Sequence, residues 1–197
     1  PILIDQEGGR VARMQAPEWQ AHPSAGRAGS LMQSDPVQGL KFIQHTLTNL
    51  STELLEMGID VNCLPVLDVL RPGITDNAIG DRAYGDNPEL VIACGELAVW
   101  TLLALDMTPV MKHMPGHGGA DKDTHKDLPL VDLSEDDLKP FRHMAGLDLP
   151  IWGMVAHIVT KGVDEDMPES LSKKVIQDII REDIGFDGLL LSDDLSM

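Results

Sequence analysis

The densest chemistry in the chain lies in residues 112–129, Lys-His-Met-Pro-Gly-His-Gly-Gly-Ala-Asp-Lys-Asp-Thr-His-Lys-Asp-Leu-Pro. Three histidines (His113, His117, His125), three aspartates and three glycines fall within it. Pro115 and the glycines leave no room for a helix, and the apolar residues 107–111 just upstream read as a short buried strand. A buried strand that empties into a polar, glycine-rich loop is a common way for a fold to place reactive groups. Asp123 and His125 are separated by one residue, so in an extended segment both side chains point the same way. Asp123 can then accept the imidazole N–H, fix its tautomer and raise its basicity, which leaves the other ring nitrogen for proton transfer. Two plainer alternatives stand beside this: a solvated loop histidine, and a metal site built from His113, His117 and His125. Pro115 and Gly116 keep His113 and His117 off a common helical face, which argues against zinc geometry of the HExxH kind, and no metal or cofactor is expected.

A second group of candidates lies elsewhere in the chain. Asp193 follows the apolar run at 188–191 and is placed to act as a nucleophile at the end of a strand; the alternative is that Asp193-Asp194 caps a following helix. Arg13, Arg82 and the Lys112-His113 pair can donate to a ligand rich in hydroxyls or bearing a carboxylate, and Asp5 can accept from two neighbouring hydroxyls. Acceptor carboxylates mixed with forked donors suit a carbohydrate site. Taken singly, each of these residues could equally form an ordinary surface ion pair.

Alternating elements must position these groups. Apolar stretches at 2–5, 59–70, 107–112, 151–158 and 189–192 read as strands. Leu40, Ile43, Leu47, Leu50, Leu54 and Met57 recur at helical spacing between the start signal Asp35-Pro36 and the stop at Gly58. Further helices are predicted from Asn87-Pro88 to about Leu105, from Ser134-Glu-Asp-Asp onward, and from Ser172 to Gly185. Strand–loop–helix repetition with nearly uninterrupted apolar strands implies a parallel sheet with crossover helices. No GxGxxG or GxxxxGK[ST] follows any strand, so a nucleotide-binding sheet has no support. Polar residues instead gather after every strand: Asp5 and Arg13, Asp68 and Arg82, Lys112 to His125, His157, Asp193. That is the layout of a TIM-type (β/α)8 barrel, whose reactive groups sit at the C-terminal ends of its strands. Such a barrel needs eight strands in roughly 250 residues, and about five β/α units are visible here. Residues 1–197 are therefore expected to be a partial barrel domain, truncated at both ends.

Composition narrows the partners. The chain has 197 residues, 43% of them hydrophobic, and a net charge of −17. Without a cluster of Lys and Arg, neither nucleic acid nor an anionic membrane surface is an expected partner. Cys63 and Cys94 sit in apolar surroundings with no CxxC spacing and are expected to be buried free thiols. No apolar run approaches the roughly 18–20 residues needed to span a bilayer.

Seven motifs occur in one order: Asp5-Gln-Glu-Gly-Gly-Arg-Val-x-Arg13, Pro65-Val-Leu-Asp68, Ile79-Gly-Asp-Arg82, Lys112-His-x-Pro-Gly-His-Gly118, Asp123-x-His125, Gly185-Phe-Asp-Gly188 and Ser192-Asp-Asp-Leu-x-Met197. Together they resemble the family 3 glycoside hydrolases, in their single-domain bacterial β-N-acetylglucosaminidase (β-hexosaminidase) branch. The resemblance implies a barrel enzyme that removes terminal N-acetylglucosamine from cell-wall saccharides during peptidoglycan recycling in the cytoplasm, with a monomer favoured. By the same resemblance Asp193 is the nucleophile, His125 the general acid/base with Asp123 as its partner, and Asp5, Arg13, Arg82, Lys112 and His113 the sugar-binding residues. Thr124, where the branch usually has Ser, and Met114, where it usually has Phe, are the departures. A phosphorylase of the same family and a non-catalytic sugar-binding barrel are the alternatives.

Overall fold

A computed structural model of the chain describes residues 1–71, 73, 78–120 and 129–195. Along it lie β1 (Leu3–Ile4), an antiparallel hairpin of β2 (Gln6–Gly8) and β3 (Val11–Ala12), helices α1 (Ala25–Ser34) and α2 (Pro36–Glu56), and β4 (Val61–Asn62). A single 3-10 turn at Gly80–Arg82 leads to α3 (Pro88–Leu103) and β5 (Thr108–Met114). Then follow β6 (Leu130–Val131), α4 (Glu135–Ala145), β7 (Trp152–Val155), β8 (Val159–Thr160), a helix of π-type turns at Val175–Asp183, and β9 (Leu190–Ser192).

Five of these strands form one parallel sheet in the order β1-β4-β5-β7-β9. Because sequence order and spatial order coincide, every crossover carries the chain forward by one strand, as in the wall of a barrel. The pairing aligns Ile4 with Asn62, Asn62 with Pro109, Met111 with Gly153 and Val155 with Ser192, so the C-terminal ends of all five strands lie at one rim. The result is a curled half-barrel. Helices cover its outer face through a core that includes Ile43, Leu50, Leu54, Val91, Leu102, Met111 and Phe141. On the other face, Val61, Cys63, Val110 and Met154 make a smaller cluster, as the alternation of side chains along strands requires. Both cysteines are free and buried. None of the helices described is long and apolar enough to cross a membrane.

The helix starts follow their signals. The Asp35 side chain accepts the Gln38 N–H at 3.1 Å ahead of Pro36, and Asn87 accepts from Glu89 at 2.9 Å ahead of Pro88. Asp137 accepts both the Ser134 N–H and its hydroxyl at the start of α4. Three expectations need correction. The stretch 59–70 is not one strand: the ladder ends at Asn62 and resumes as a single bridge, Val66 to Lys112, flanked by hydrogen bonds from Lys112 N–H to the Pro65 carbonyl and from Leu67 N–H to the Lys112 carbonyl. The stretch 151–158 is a strand only over Trp152–Val155, and just beyond it a separate strand, β8, pairs in parallel with β6. Helix α1 is an addition, in a segment rich in glycine that gave no helical signal. Its Gly29 lies so close to the chain at Tyr84 that a Cβ would stand 1.7 Å from the Tyr84 carbonyl oxygen. A residue that weakens the helix locally is the one that lets the helix dock.

Close approach also governs the segment after β5. At Gly118 a Cβ would lie 1.8 Å from the Val69 carbonyl oxygen, against backbone that has no room to yield. Gly118→Ala should therefore destabilise the protein by about 1–3 kcal/mol or more, read as a lowered urea midpoint; an unchanged midpoint would contradict this packing. The sheet carries a second expectation. Among the described residues β1 and β9 each pair on one side only, and Ile2, Leu3 and Leu189 are about half exposed along those edges. Residues 1–197 expressed alone should self-associate, and a monomeric sizing profile with a sharp two-state melt would refute this.

Candidate functional site

The rim of the half-barrel gathers residues from five segments. The chain leaving β1 is extended, so Asp5 and Glu7 present their carboxylates to the same side. Gln6, facing the other way, locks the segment. Its side-chain oxygen accepts from Arg13 and Met14 at 2.8 and 3.0 Å, and its side-chain amide donates to the Met14 carbonyl at 2.8 Å. Asn62 at the end of β4 exchanges two hydrogen bonds with the Gln6 backbone, at 3.1 and 2.9 Å. Asp5 and Glu7 are thus fixed before any ligand arrives.

Between those carboxylates lies the ammonium of Lys112, from β5. Its Nζ is 2.8 Å from Asp5 Oδ1 and 2.6 Å from Glu7 Oε1, and the residue is 1% exposed. Arg82, from the 3-10 turn, grips Glu7 at two points, Nε to Oε2 at 2.9 Å and Nη2 to Oε1 at 2.8 Å. The same Nη2 lies 3.0 Å from Nε2 of His113. The other ring nitrogen of His113 is 2.6 Å from Oδ2 of Asp68, a carboxylate buried at the end of the β4 segment. Asp68 Oδ1 accepts the backbone N–H of His117 at 2.7 Å. The Lys112–His113 and Met114–Pro115 peptides are both cis.

Burial and charge oppose one another throughout this network. Burial alone would raise the carboxyls of Asp5 and Glu7, but Lys112, joined by Arg82 at Glu7 and by Arg13 at Asp5, outweighs it and holds both at about 2. Burial would also drive the proton from Lys112; Glu7 and Asp5 reverse this and hold its pKa above the ordinary value. His113 goes the other way. Burial and the adjacent Arg82 charge push it well below its ordinary range, so the imidazole is neutral.

Asp193 extends the pairing of β9 by donating its backbone N–H to Val155 at 2.9 Å, and its Oδ1 accepts the N–H of Asp194 at 2.8 Å. It lines the same cleft of about 460 Å³ as Asp5, Arg13, Arg82, Lys112, His113 and His117. Its charge is near enough to act on both Arg82 and His113. Of the candidates read from the sequence, Asp5, Arg13, Arg82, Lys112, His113 and Asp193 are thereby brought together. Arg13 is the outlier, with 69% of its side chain exposed and a looser contact of 3.5 Å to Asp5. Asp123 and His125 lie outside the described residues. His157, grouped above with the residues at the strand ends, does not join the cleft; it is buried with Nδ1 2.7 Å from the Ser170 hydroxyl. Glu7 is the participant that sequence reasoning passed over, although its spacing from Asp5 carries the same signal as that of Asp123 from His125.

A parallel half-barrel with a charged cleft at the C-terminal rim defines the class: part of a TIM-like domain. The sequence matches the glycosyl hydrolase family 3 N-terminal domain over residues 1–197, and the chain belongs to that family. It is 33% identical over 201 residues to a beta-hexosaminidase of Bordetella avium and 36% identical over 201 residues to one of Aromatoleum aromaticum. All of this chain is covered in both alignments, but only 56% and 55% of those relatives. Among solved structures, NagZ from Neisseria gonorrhoeae in complex with N-trifluoroacetyl-D-glucosamine superposes with a TM-score of 0.88 at 34% identity, covering 99% of this chain and 58% of that one. The chain thus spans somewhat more than half the length of the proteins it matches.

The paired carboxylates give the site a defined acid limit. Their folded values of about 2 lie below the ordinary values of 3.8 for Asp5 and 4.5 for Glu7. The stability they contribute is fully present above about pH 4.5 and is lost as the pH falls toward 2. Urea titrations should show this slope, and Glu7→Gln should flatten it while lowering stability at neutral pH by about 3–5 kcal/mol, because part of a buried ion cluster is then left uncompensated. A variant as acid-sensitive as the parent would rule out Glu7 as its source.

Proposed function

We propose that the protein is a retaining, exo-acting β-N-acetylglucosaminidase that releases terminal β-linked N-acetylglucosamine from peptidoglycan fragments in the cytoplasm. One observation carries this reading: Asp5, Arg82, Lys112, His113 and Asp193 line one cleft at the strand ends, in a chain of a glycoside hydrolase family. Asp5 and the cations around it suit the hydroxyls of a terminal sugar ring. The similarity to beta-hexosaminidases, and to a protein solved with an N-acylated glucosamine, supports the choice of sugar.

The chemistry proceeds in two steps. Asp193 attacks the anomeric carbon while protonated His125, partnered by Asp123, gives its proton to the departing glycosidic oxygen. The C–O bond to the leaving group breaks as the bond to the Asp193 carboxylate forms. Neutral His125 then takes a proton from water, the water oxygen attacks the same carbon, and Asp193 departs as a carboxylate with the sugar configuration retained. A histidine here replaces the second carboxyl of the usual pair, so the spacing between carboxylates does not set the stereochemistry.

The test is hydrolysis of p-nitrophenyl N-acetylglucosaminide by the full-length protein, with and without added phosphate. Asp193→Ala should lose several orders of magnitude in kcat, and undiminished turnover would remove Asp193 from the nucleophile's role. His125→Ala should lose less on the good p-nitrophenolate leaving group than on a natural disaccharide; equal losses would remove His125 as the acid. Sugar 1-phosphate as the product would make the enzyme a phosphorylase, and binding without turnover would make it a sugar-binding barrel.

A further inference from the structure

Asp68 does not line the cleft, yet it lies beneath two residues that do. It is fully buried, and both of its oxygens face N–H groups: Oδ1 the His117 backbone at 2.7 Å, Oδ2 the His113 ring at 2.6 Å, with the His113 backbone N–H at 3.4 and 3.3 Å from the two. The donor inventory of this cluster fixes where its protons are. Arg82 has only donors, so Nε2 of His113, 3.0 Å from Arg82 Nη2, must present a lone pair. The proton of the neutral ring is then on Nδ1, and Asp68 must receive it as a carboxylate. Were Asp68 protonated and donating to Nδ1, the ring proton would move to Nε2 and oppose the guanidinium donor to donor. An imidazolium would do the same.

We infer that Asp68 is a positioning residue: by holding His113 as its Nδ1–H tautomer it turns the Nε2 lone pair onto Arg82 and so aims the guanidinium at the cleft. Among the described residues, the other hydrogen bonds of the Arg82 side chain go to Glu7, at 2.9 and 2.8 Å, and to the Ala78 carbonyl at 3.5 Å. His113 supplies its constraint on a separate side. With the His113 lone pair taken up by Arg82 and its N–H by Asp68, the donors that meet an incoming hydroxyl are Arg82 and Lys112. A buried carboxylate that orients an imidazole, which in turn orients the group touching ligand, is the logic of outer-shell partners at metal sites, applied here to a guanidinium.

The kinetic part of this inference rests on the hydrolase reading; the proton placement does not. Neutron diffraction from crystals of the full-length protein at pH 7 should show deuterium on His113 Nδ1 and none on Nε2 or on the Asp68 carboxylate. Deuterium on Nε2, alone or together with Nδ1, overturns the inference whatever the enzyme acts on. In Asp68→Asn one acceptor oxygen becomes a donor, so the tautomer should switch or Arg82 should shift, and kcat/KM for the glucosaminide should fall about 10–100-fold. If that variant folds, keeps deuterium on Nδ1 and retains the parent's kcat/KM, Asp68 is merely structural and the inference fails. If it does not fold, the diffraction result on the unaltered protein decides. An inactive parent would sink the hydrolase reading alone.

Discussion

The rim of this half-barrel depends on keeping one ammonium charge out of water. Lys112 is buried in β5, where the effective cost of dehydrating an ion is several kcal/mol. That cost is met only if anions stand within contact distance and are themselves held still. Asp5 and Glu7 do so from the chain leaving β1, and they need the Gln6–Asn62 exchange beneath them to stay in place. Glu7 shares its charge with Arg82, Arg82 touches His113, and His113 rests on Asp68. One buried cation thus ties the ends of three neighbouring strands and the turn at Gly80–Arg82 into a single electrostatic unit.

Such a unit suits a ligand rich in hydroxyls because its reorganisation is done in advance. Hydroxyls are weak ligands for mobile charges in water, which gain as much from solvent as from the sugar. Donors and acceptors already dehydrated and fixed on strand ends lose little more when a hydroxyl replaces the last water. Arg13 behaves differently. Its side chain is mostly in solvent and its 3.5 Å contact with Asp5 contributes little. It can release Asp5 for a ligand oxygen at small cost, whereas Lys112 and Arg82 cannot leave Glu7 without exposing a buried charge.

Much of this was legible in the chain, for reasons that differ by element. Helix α2 announced itself because a capping Asp35, Pro36 and an apolar stripe are local signals, and its observed bounds fall within one residue of those expected. The parallel arrangement followed from buried strands alternating with helices. Helix α1 was invisible because its evidence is not local: Gly29 belongs there only once the backbone at Tyr84 is beside it, and no window of sequence around residue 29 contains residue 84. The interruption of the β4 segment and the early end of β7, with β8 pairing to β6 just beyond it, are tertiary choices of the same kind. At the site, single residues were easier to find than their connections. Asp5, Lys112, Arg82, His113 and Asp193 could each be named from type and place, while Glu7 gains its part only from Lys112, which lies 105 residues further along the chain and 2.6 Å away in space. Asp68 was visible as a polar residue after a strand, but its purpose lies in donors that come from residues 113 and 117.

The coincidence of spatial and sequential strand order has a consequence for the growing chain on the ribosome. Strands β1, β4 and β5 are neighbours, so the clasp of Lys112 with Asp5 and Glu7 spans 107 residues or fewer and can close while the rest is still being made. Asp193 arrives with the last of the five strands, after β7 has taken its place. The buried charge cluster on the floor of the cleft is therefore complete well before the Asp193 carboxylate joins its wall. A half-synthesised chain can shield its buried charge early, while its cleft still lacks the wall that β9 supplies.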